Sequence, residues 1–114
     1  MNVSTQQAGN VTIVAVAGSI DGFSADELLR DFESRILAGA RQIVLDLKSV
    51  EFISSAGLRT ILLAQKQARQ NDGDLRLAGS SSRILKTLKL SGYTSIFKLF
   101  DTAEEAAASF AVQE

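Results

Sequence analysis

The hydrophobic residues of this chain follow two different periods, which alternate along the sequence. Residues 11–17 (VTIVAVA) and 42–50 (QIVLDLKSV) are short, rich in β-branched residues and nearly continuous in their apolar part. This is the pattern of a β-strand that is buried on both faces. Residues 74–79 and 96–100 have the same character over a shorter length, so strands are predicted at these four places.

Between the strands, apolar residues recur at the three- and four-residue spacing of an amphipathic helix. Helices are predicted from residue 24 until Gly39, over residues 56–71 and 82–91, and in a final segment that either Asp101 with Glu104 or Thr102 with Glu105 would cap. Ser24 and Glu27 have the spacing of a capping box at the first helix. Strands that alternate with helices favour parallel pairing. We therefore predict an α/β fold with one mixed, largely parallel sheet of four to five strands and about four helices.

Composition bounds the number of domains and the kind of partner. With 114 residues, of which 46% are hydrophobic, the chain is long enough for one core and too short for two. We predict a single domain over residues 1–114. The net charge is only −1, so no broad positive field would attract nucleic acid or an anionic membrane. Any partner is expected to be recognised locally.

The chain contains no cysteine and no histidine. These absences exclude disulfides, zinc sites of the Cys/His type, thiol nucleophiles and the commonest general base at neutral pH. Neither a cofactor nor a metal is predicted. The N-terminus lacks the basic and apolar segments of a signal peptide, and no apolar run approaches the roughly 20 residues of a membrane span. We therefore expect a soluble cytoplasmic protein without membrane insertion.

The segment that stands out chemically is EFISSAGLRT, at residues 51–60, where a predicted strand is followed by a predicted helix. Ser54 or Ser55 could act as the N-cap, its hydroxyl accepting a backbone N–H of the first turn. Gly57 costs roughly 1 kcal/mol in a helix relative to alanine, which indicates that a backbone or a partner approaches closely there. Arg59 opposes the helix dipole, so it indicates either a nearby anion or simple exposure. The free N–H groups of such a turn suit a phosphate, including one attached to the serine itself.

These residues carry a family resemblance. The turn resembles the signature of the STAS domain family, in particular the bacterial anti-sigma factor antagonists, through Phe52, Ile53, Ser54, Ser55, Ala56, Gly57 and Leu58. The resemblance covers nearly the whole chain and includes a turn at Gly18, Ser19, Ile20 and Asp21 and a helix end at Ser91 and Gly92.

The resemblance implies a phosphorylation switch. In the best-known members of the family, the serine that aligns with Ser55 is phosphorylated by a GHKL-type serine kinase that doubles as an anti-sigma factor, and the resemblance implies a PP2C-type phosphatase that resets it. This chain departs from the usual turn at Ser54, where an aspartate is usual, and at Ala56, where a second hydroxyl is usual. Ser54 is thus an alternative acceptor. The partner-binding residues that the resemblance implies are Asp21, Ile53, Ser54, Ser55, Ala56, Gly57, Leu58 and Arg59.

The working hypothesis is an anti-sigma factor antagonist that binds its kinase when unphosphorylated and is released when Ser55 is phosphorylated. The alternative is a non-switching STAS scaffold in a transporter or sensory assembly, in which both serines serve only as caps and contacts. A serine hydrolase is disfavoured because the chain lacks histidine and a Gly-x-Ser-x-Gly elbow. We therefore do not expect an enzyme.

Two further polar clusters admit a structural explanation. Asp21 could lie near Ser55 and shape the kinase contact, or it could bond to the backbone of its own turn. The run Ser80, Ser81 and Ser82 could suggest a phosphate pocket, but capping of the following helix is the favoured interpretation.

Overall fold

Five β-strands form one sheet, in which their order in space is their order in the chain. In the computed structural model, which describes residues 1–111, the strands are β1 (Asn2–Ala8), β2 (Val11–Ile20), β3 (Gln42–Ile53), β4 (Asp74–Ala78) and β5 (Leu99–Phe100). β1 pairs antiparallel with β2, whereas the β2–β3, β3–β4 and β4–β5 pairs are parallel. The predicted mixed and largely parallel sheet is confirmed.

Helices cover both faces of the sheet. They are α1 (Ser24–Leu37), α2 (Ser55–Gln70), α3 (Ser82–Leu90) and α4 (Ala103–Ala111), and a short 3₁₀ turn spans Tyr93–Ser95. The larger core joins one face of the sheet to apolar residues of α1, α2 and α3, such as Phe32, Ile61 and Leu88. A smaller core joins the other face to α4, where Ala106 and Phe110 are buried. The four helices lie close to their predicted positions.

Strand β1 was not predicted, because its sequence NVSTQQA has no apolar alternation. All seven of its residues still pair with β2 in a regular antiparallel ladder that begins at the pair Ala8 and Val11 and runs to Asn2 and Ala17. Gly9 has a φ of +61°, a value that glycine adopts easily in a hairpin turn. A strand that is mostly exposed on both faces carries no hydrophobic pattern from which it could be recognised.

The predicted last strand is shorter than residues 96–100, because Phe97 is instead buried in the larger core before β5 begins. The predicted capping box at α1 is also wrong. Ser24 is the first residue of α1, and its hydroxyl donates to the Ser19 carbonyl at 3.1 Å instead of capping the helix. At α4 the second alternative is correct, since the Glu105 N–H donates to the Thr102 hydroxyl at 3.1 Å.

The register of the sheet decides where the serine turn lies. Ile20 and Ile53, the last residues of β2 and β3, pair with each other in parallel register. The turns that lead into α1 and α2 therefore leave the same edge of the sheet side by side. A backbone hydrogen bond of 2.8 Å, from the Ser54 N–H to the Ile20 carbonyl, joins them.

Candidate functional site

Ser54 is the N-cap of α2. Its backbone is extended, with φ −79° and ψ 172°, and its hydroxyl accepts the Gly57 N–H at 3.1 Å. The Ser54 carbonyl accepts the Leu58 N–H at 2.9 Å. The first bond satisfies a donor that a helix would otherwise leave unpaired, and the second is the first i→i−4 bond of the helix itself. Of the two serines that could cap the helix, the structure thus selects Ser54, which is half-buried.

Ser55 has the opposite character. It is the first residue of α2, it is exposed, and its hydroxyl has no hydrogen-bond partner within residues 1–111. Ala56, the next residue, is exposed as well. The turn therefore presents one uncommitted hydroxyl to solvent at the positive end of a 16-residue helix.

Gly57 is explained by the protein's own backbone. A β-carbon at this position would lie 2.6 Å from the Ile20 carbonyl oxygen and 2.8 Å from the Ile20 Cγ2 atom. Such distances are far inside van der Waals contact, so only glycine lets the first turn of α2 pack against the end of β2. Of the two predicted causes, a close backbone or a partner, the close backbone is the one observed.

Two of the predicted partner-binding residues are buried in this structure. Gly57 is buried against β2, and Ile53 is only 4% exposed because its side chain belongs to the larger core. Neither residue is exposed at the surface. Leu58 is half-buried, and its carbonyl accepts the Tyr93 hydroxyl at 2.7 Å. Burial raises the pKa of Tyr93 from its ordinary value of 10.0, so the hydroxyl remains a donor well above neutral pH.

Arg59 is exposed and forms no ion pair with any of residues 1–111. Its guanidinium, one turn into α2, is thus available to an anion near the start of the helix. Of the predicted set, Ser55, Ala56 and Arg59 are exposed, and Asp21, Ser54 and Leu58 are exposed in part.

Asp21 bonds to its own turn. One carboxylate oxygen accepts the Phe23 N–H at 3.0 Å and the Ser24 N–H at 3.1 Å. The Ser24 N–H contributes most to lowering the pKa of Asp21, and the Phe23 N–H adds to it. Asp21 follows Ile20 directly, so this turn adjoins the serine turn, but its carboxylate orders the entry into α1.

Two exposed aromatic residues are absent from the predicted partner-binding set. Phe23 exposes 97% and Phe52 53% of the accessible surface of the residue. Phe52 pairs with Ser19 in the sheet, one position before the pair of Ile20 and Ile53. The two-residue period of a strand could have indicated that Phe52 faces away from the side on which Ile53 is buried.

A groove lies at the other edge of the sheet, between the β1–β2 hairpin and the end of α1. Its charged residues are Arg35, which pairs with Asp31 at 2.8 Å, and Arg41, which donates to the Ile36 carbonyl at 3.0 Å. These cations already have partners within the protein. The groove does not include the serine turn.

Comparison with known proteins decides the family. The model of the STAS domain matches residues 2–106. The chain belongs to the STAS domain family. BtrV of Bordetella bronchiseptica, whose name assigns it as a candidate anti-sigma factor antagonist, is 34% identical over 110 residues, which are 96% of this chain and 95% of BtrV. The predicted resemblance to the STAS family is confirmed.

Solved structures of proteins named as anti-sigma factor antagonists have the same fold. An anti-sigma factor antagonist candidate from Thermotoga maritima superposes with a TM-score of 0.88 at 23% identity, over 94% of this chain and 92% of that one. The anti-sigma factor antagonist SpoIIAA of Bacillus, in its unphosphorylated form, gives 0.84 at 17% identity over 99% of each chain. The phosphorylated form of SpoIIAA gives 0.75 at 18% identity, over 96% of this chain and 99% of that one. Across residues 1–111 of this STAS protein, none of the helices has both the length and the apolar composition needed to cross a membrane.

Proposed function

We propose that this STAS protein is an anti-sigma factor antagonist that acts by partner switching. Unphosphorylated, it binds an anti-sigma factor that is also a serine kinase, and phosphorylation of Ser55 releases it. The observation that carries the proposal is the exposed and unpaired hydroxyl of Ser55 at the first position of α2. The names of BtrV and SpoIIAA, and the existence of SpoIIAA in both phosphorylation states, support it.

Ser55, and not Ser54, is the proposed acceptor. The Ser54 oxygen accepts the Gly57 N–H at 3.1 Å, so a kinase that took this hydroxyl would have to disrupt the cap of α2. The Ser55 hydroxyl is free of such bonds and reaches solvent. A kinase can therefore align Ser55 for phosphoryl transfer without unfolding the first turn.

The mechanism of release is electrostatic. The turn around Ser55 is small and uncharged up to Arg59, which suits close docking. A phosphate adds about −1.5 to −2 charges and three acceptor oxygens at that place. An unpaired charge that a partner desolvates costs several kcal/mol, and each ~1.4 kcal/mol weakens binding tenfold. Phosphorylation would thus oppose docking directly.

The free protein can tolerate the same phosphate. The positive end of the α2 dipole and the unpaired Arg59 both favour a negative charge at the start of the helix. We therefore expect phosphorylation to change the interface and leave the fold intact. Ser54, which stands where an aspartate is usual in the family, keeps the capping role without adding a charge beside Ser55.

The proposed partners follow from this cycle. The kinase is of the GHKL type, a PP2C-type phosphatase removes the phosphate, and both would meet the protein in the cytoplasm. The STAS protein itself is a binding module and a kinase substrate, with no catalytic role of its own.

The proposal is tested by site-resolved phosphorylation. The protein is incubated with ATP and each GHKL kinase of the same genome, and the products are identified by intact mass and peptide mapping. We expect one added phosphate, on Ser55, with the kinase that forms a complex with the unphosphorylated protein. A stable complex without any phosphorylation would contradict the switch and favour the non-switching scaffold.

A further inference from the structure

Phe23 is exposed to an unusual degree for a large apolar residue. It exposes 97% of its accessible surface and lies directly before α1. Single apolar residues on a surface are common, so exposure alone would mean little. What sets Phe23 apart is the way in which its backbone is held and what lies next to it.

The backbone of Phe23 is fixed by the turn before it. The Asp21 carboxylate accepts the Phe23 N–H at 3.0 Å, and the Asp21 N–H donates to the Ser24 hydroxyl at 2.9 Å. That hydroxyl in turn donates to the Ser19 carbonyl at 3.1 Å. The bonds tie both sides of Phe23 to the end of β2. An aromatic side chain on a fixed backbone loses little entropy on binding, which is a property of interface anchors.

Phe23 lies at the same edge of the sheet as Ser55. The Ser54 N–H donates to the Ile20 carbonyl at 2.8 Å, so the turn that carries Phe23 and the turn that carries Ser55 start from one hydrogen-bonded point. Phe52, 53% exposed, is also at this edge, two residues before Ser54. The free hydroxyl is thus accompanied by two exposed aromatic residues.

We propose that Phe23 is an anchor that inserts into an apolar pocket of the kinase that phosphorylates Ser55. The inference rests on the proposed function and adds to it a second point of contact, on the α1 side of the interface.

The charges around Phe23 indicate the chemistry of the pocket rim. Asp26 and Glu27 are exposed in the first turn of α1, and Glu27 lines one open groove with Asp21 and Phe23. Apart from the terminal amine of Met1, the residues that line this groove carry no basic group. A pocket with a basic rim complements this surface.

The same carboxylates argue against two other occupants. In a twofold dimer about Phe23, the acidic groups Asp21, Asp26 and Glu27 of both copies would face each other. An anionic lipid surface would repel them in the same way. The turn at Ser55 holds no carboxylate, so the basic rim and the site of the phosphate are separate parts of one interface.

The test compares matched truncations at the two ends of α1. Phe23→Ala removes the anchor, and Leu37→Ala removes an apolar residue that is 89% exposed at the far end. Affinity of the kinase, without ATP, is measured for the wild-type protein and both variants by isothermal titration calorimetry. We expect roughly 30-fold weaker binding for Phe23→Ala, as for an interface anchor, and no change for Leu37→Ala. Phe23→Leu should restore part of the loss.

The outcomes separate this inference from the function on which it rests. If Phe23→Ala binds the kinase within twofold of wild type while Ser55 is still phosphorylated, Phe23 is not an anchor, and the proposed phosphorylation switch is unaffected. If no kinase binds or phosphorylates the wild-type protein, both the proposed function and the role of Phe23 are contradicted. A wild-type dimer that Phe23→Ala converts to a monomer would overturn the kinase as the occupant in favour of a second copy. Vesicles of anionic lipid that retain wild type and release Phe23→Ala would overturn it in favour of a membrane.

Discussion

Two turns of this protein have nearly the same local structure and are proposed to have different functions. At the end of β3, the Ser54 hydroxyl accepts the Gly57 N–H at 3.1 Å. After the neighbouring strand β4, the Ser81 hydroxyl accepts the Ile84 N–H at 3.2 Å. In both turns the next serine is the first residue of a helix and is exposed. The capping predicted for the second cluster is confirmed.

The surroundings of the two turns differ. The Ser54 turn is bonded to the end of β2, and Gly57 is packed against Ile20. In the second turn the residue at the place of Gly57 is Ile84, a core side chain that is 1% exposed. Only the first turn adjoins the end of β2 and the turn that carries Phe23. The comparison teaches that an exposed serine at a helix start does not define a phosphorylation site, because the neighbouring elements decide what can dock there.

The largest expected difference between the turns is in phosphorylation. Ser55→Ala should abolish incorporation of phosphate by the kinase and leave binding of the unphosphorylated protein largely unchanged. Ser82→Ala should leave phosphorylation unchanged, although Ser82 has the same helix position and exposure. Phosphate incorporation by mass spectrometry measures both. Equal losses in the two variants would mean that local geometry alone is recognised.

The next effect is on stability and concerns the close contact of the first turn. Gly57→Ala places a methyl group 2.6 Å from the Ile20 carbonyl oxygen, so we expect a loss of about 1–3 kcal/mol from overpacking. Gly22→Ala is the control, since a β-carbon there meets nothing within 4 Å, and should stay within about 0.5 kcal/mol. Chemical denaturation gives both values. If Gly57→Ala left the free energy of unfolding unchanged, α2 would be able to shift away from β2.

The two caps should be equivalent. Ser54→Ala and Ser81→Ala each remove one acceptor of a first-turn N–H, so each should cost about 1 kcal/mol. Ser54→Asp should retain stability, because a carboxylate also accepts this bond and favours the helix dipole. Urea denaturation of the three variants measures these free energies. A much larger cost at Ser54 would mean that this serine does more than cap α2.

The smallest expected effect is on the pH dependence of stability. It arises from Asp21, in the turn next to the Ser54 turn. Backbone donors, the Ser24 N–H first, lower the pKa of Asp21 in the folded protein. The carboxylate's contribution is therefore complete above its ordinary pKa of 3.8 and is lost as the pH falls through the lowered value. Asp21→Asn, which keeps an acceptor without this titration, should lose slightly less stability between pH 5 and pH 2 than wild type. If wild type and Asp21→Asn lost the same stability over this pH range, Asp21 would not be the source of the pH dependence.

Sequence reasoning predicted the fold well because buried parallel strands and amphipathic helices have distinct periods. It could not choose between Ser54 and Ser55 as the cap, since both stand where the strand ends and the helix begins. It inferred a close approach at Gly57, but the neighbour, Ile20, lies 37 residues earlier in the chain and is identified only by the parallel pairing. Phe23 was missed because a single apolar residue in a turn has no periodic partner.

The central claim is that a phosphate on Ser55 weakens a complex without changing the fold. Its most direct test is the affinity of the partner kinase for the unphosphorylated protein and for the protein fully phosphorylated on Ser55, measured by calorimetry in the absence of ATP. The account predicts at least tenfold weaker binding of the phosphorylated form, with the same circular dichroism spectrum for both. Equal affinities would contradict it.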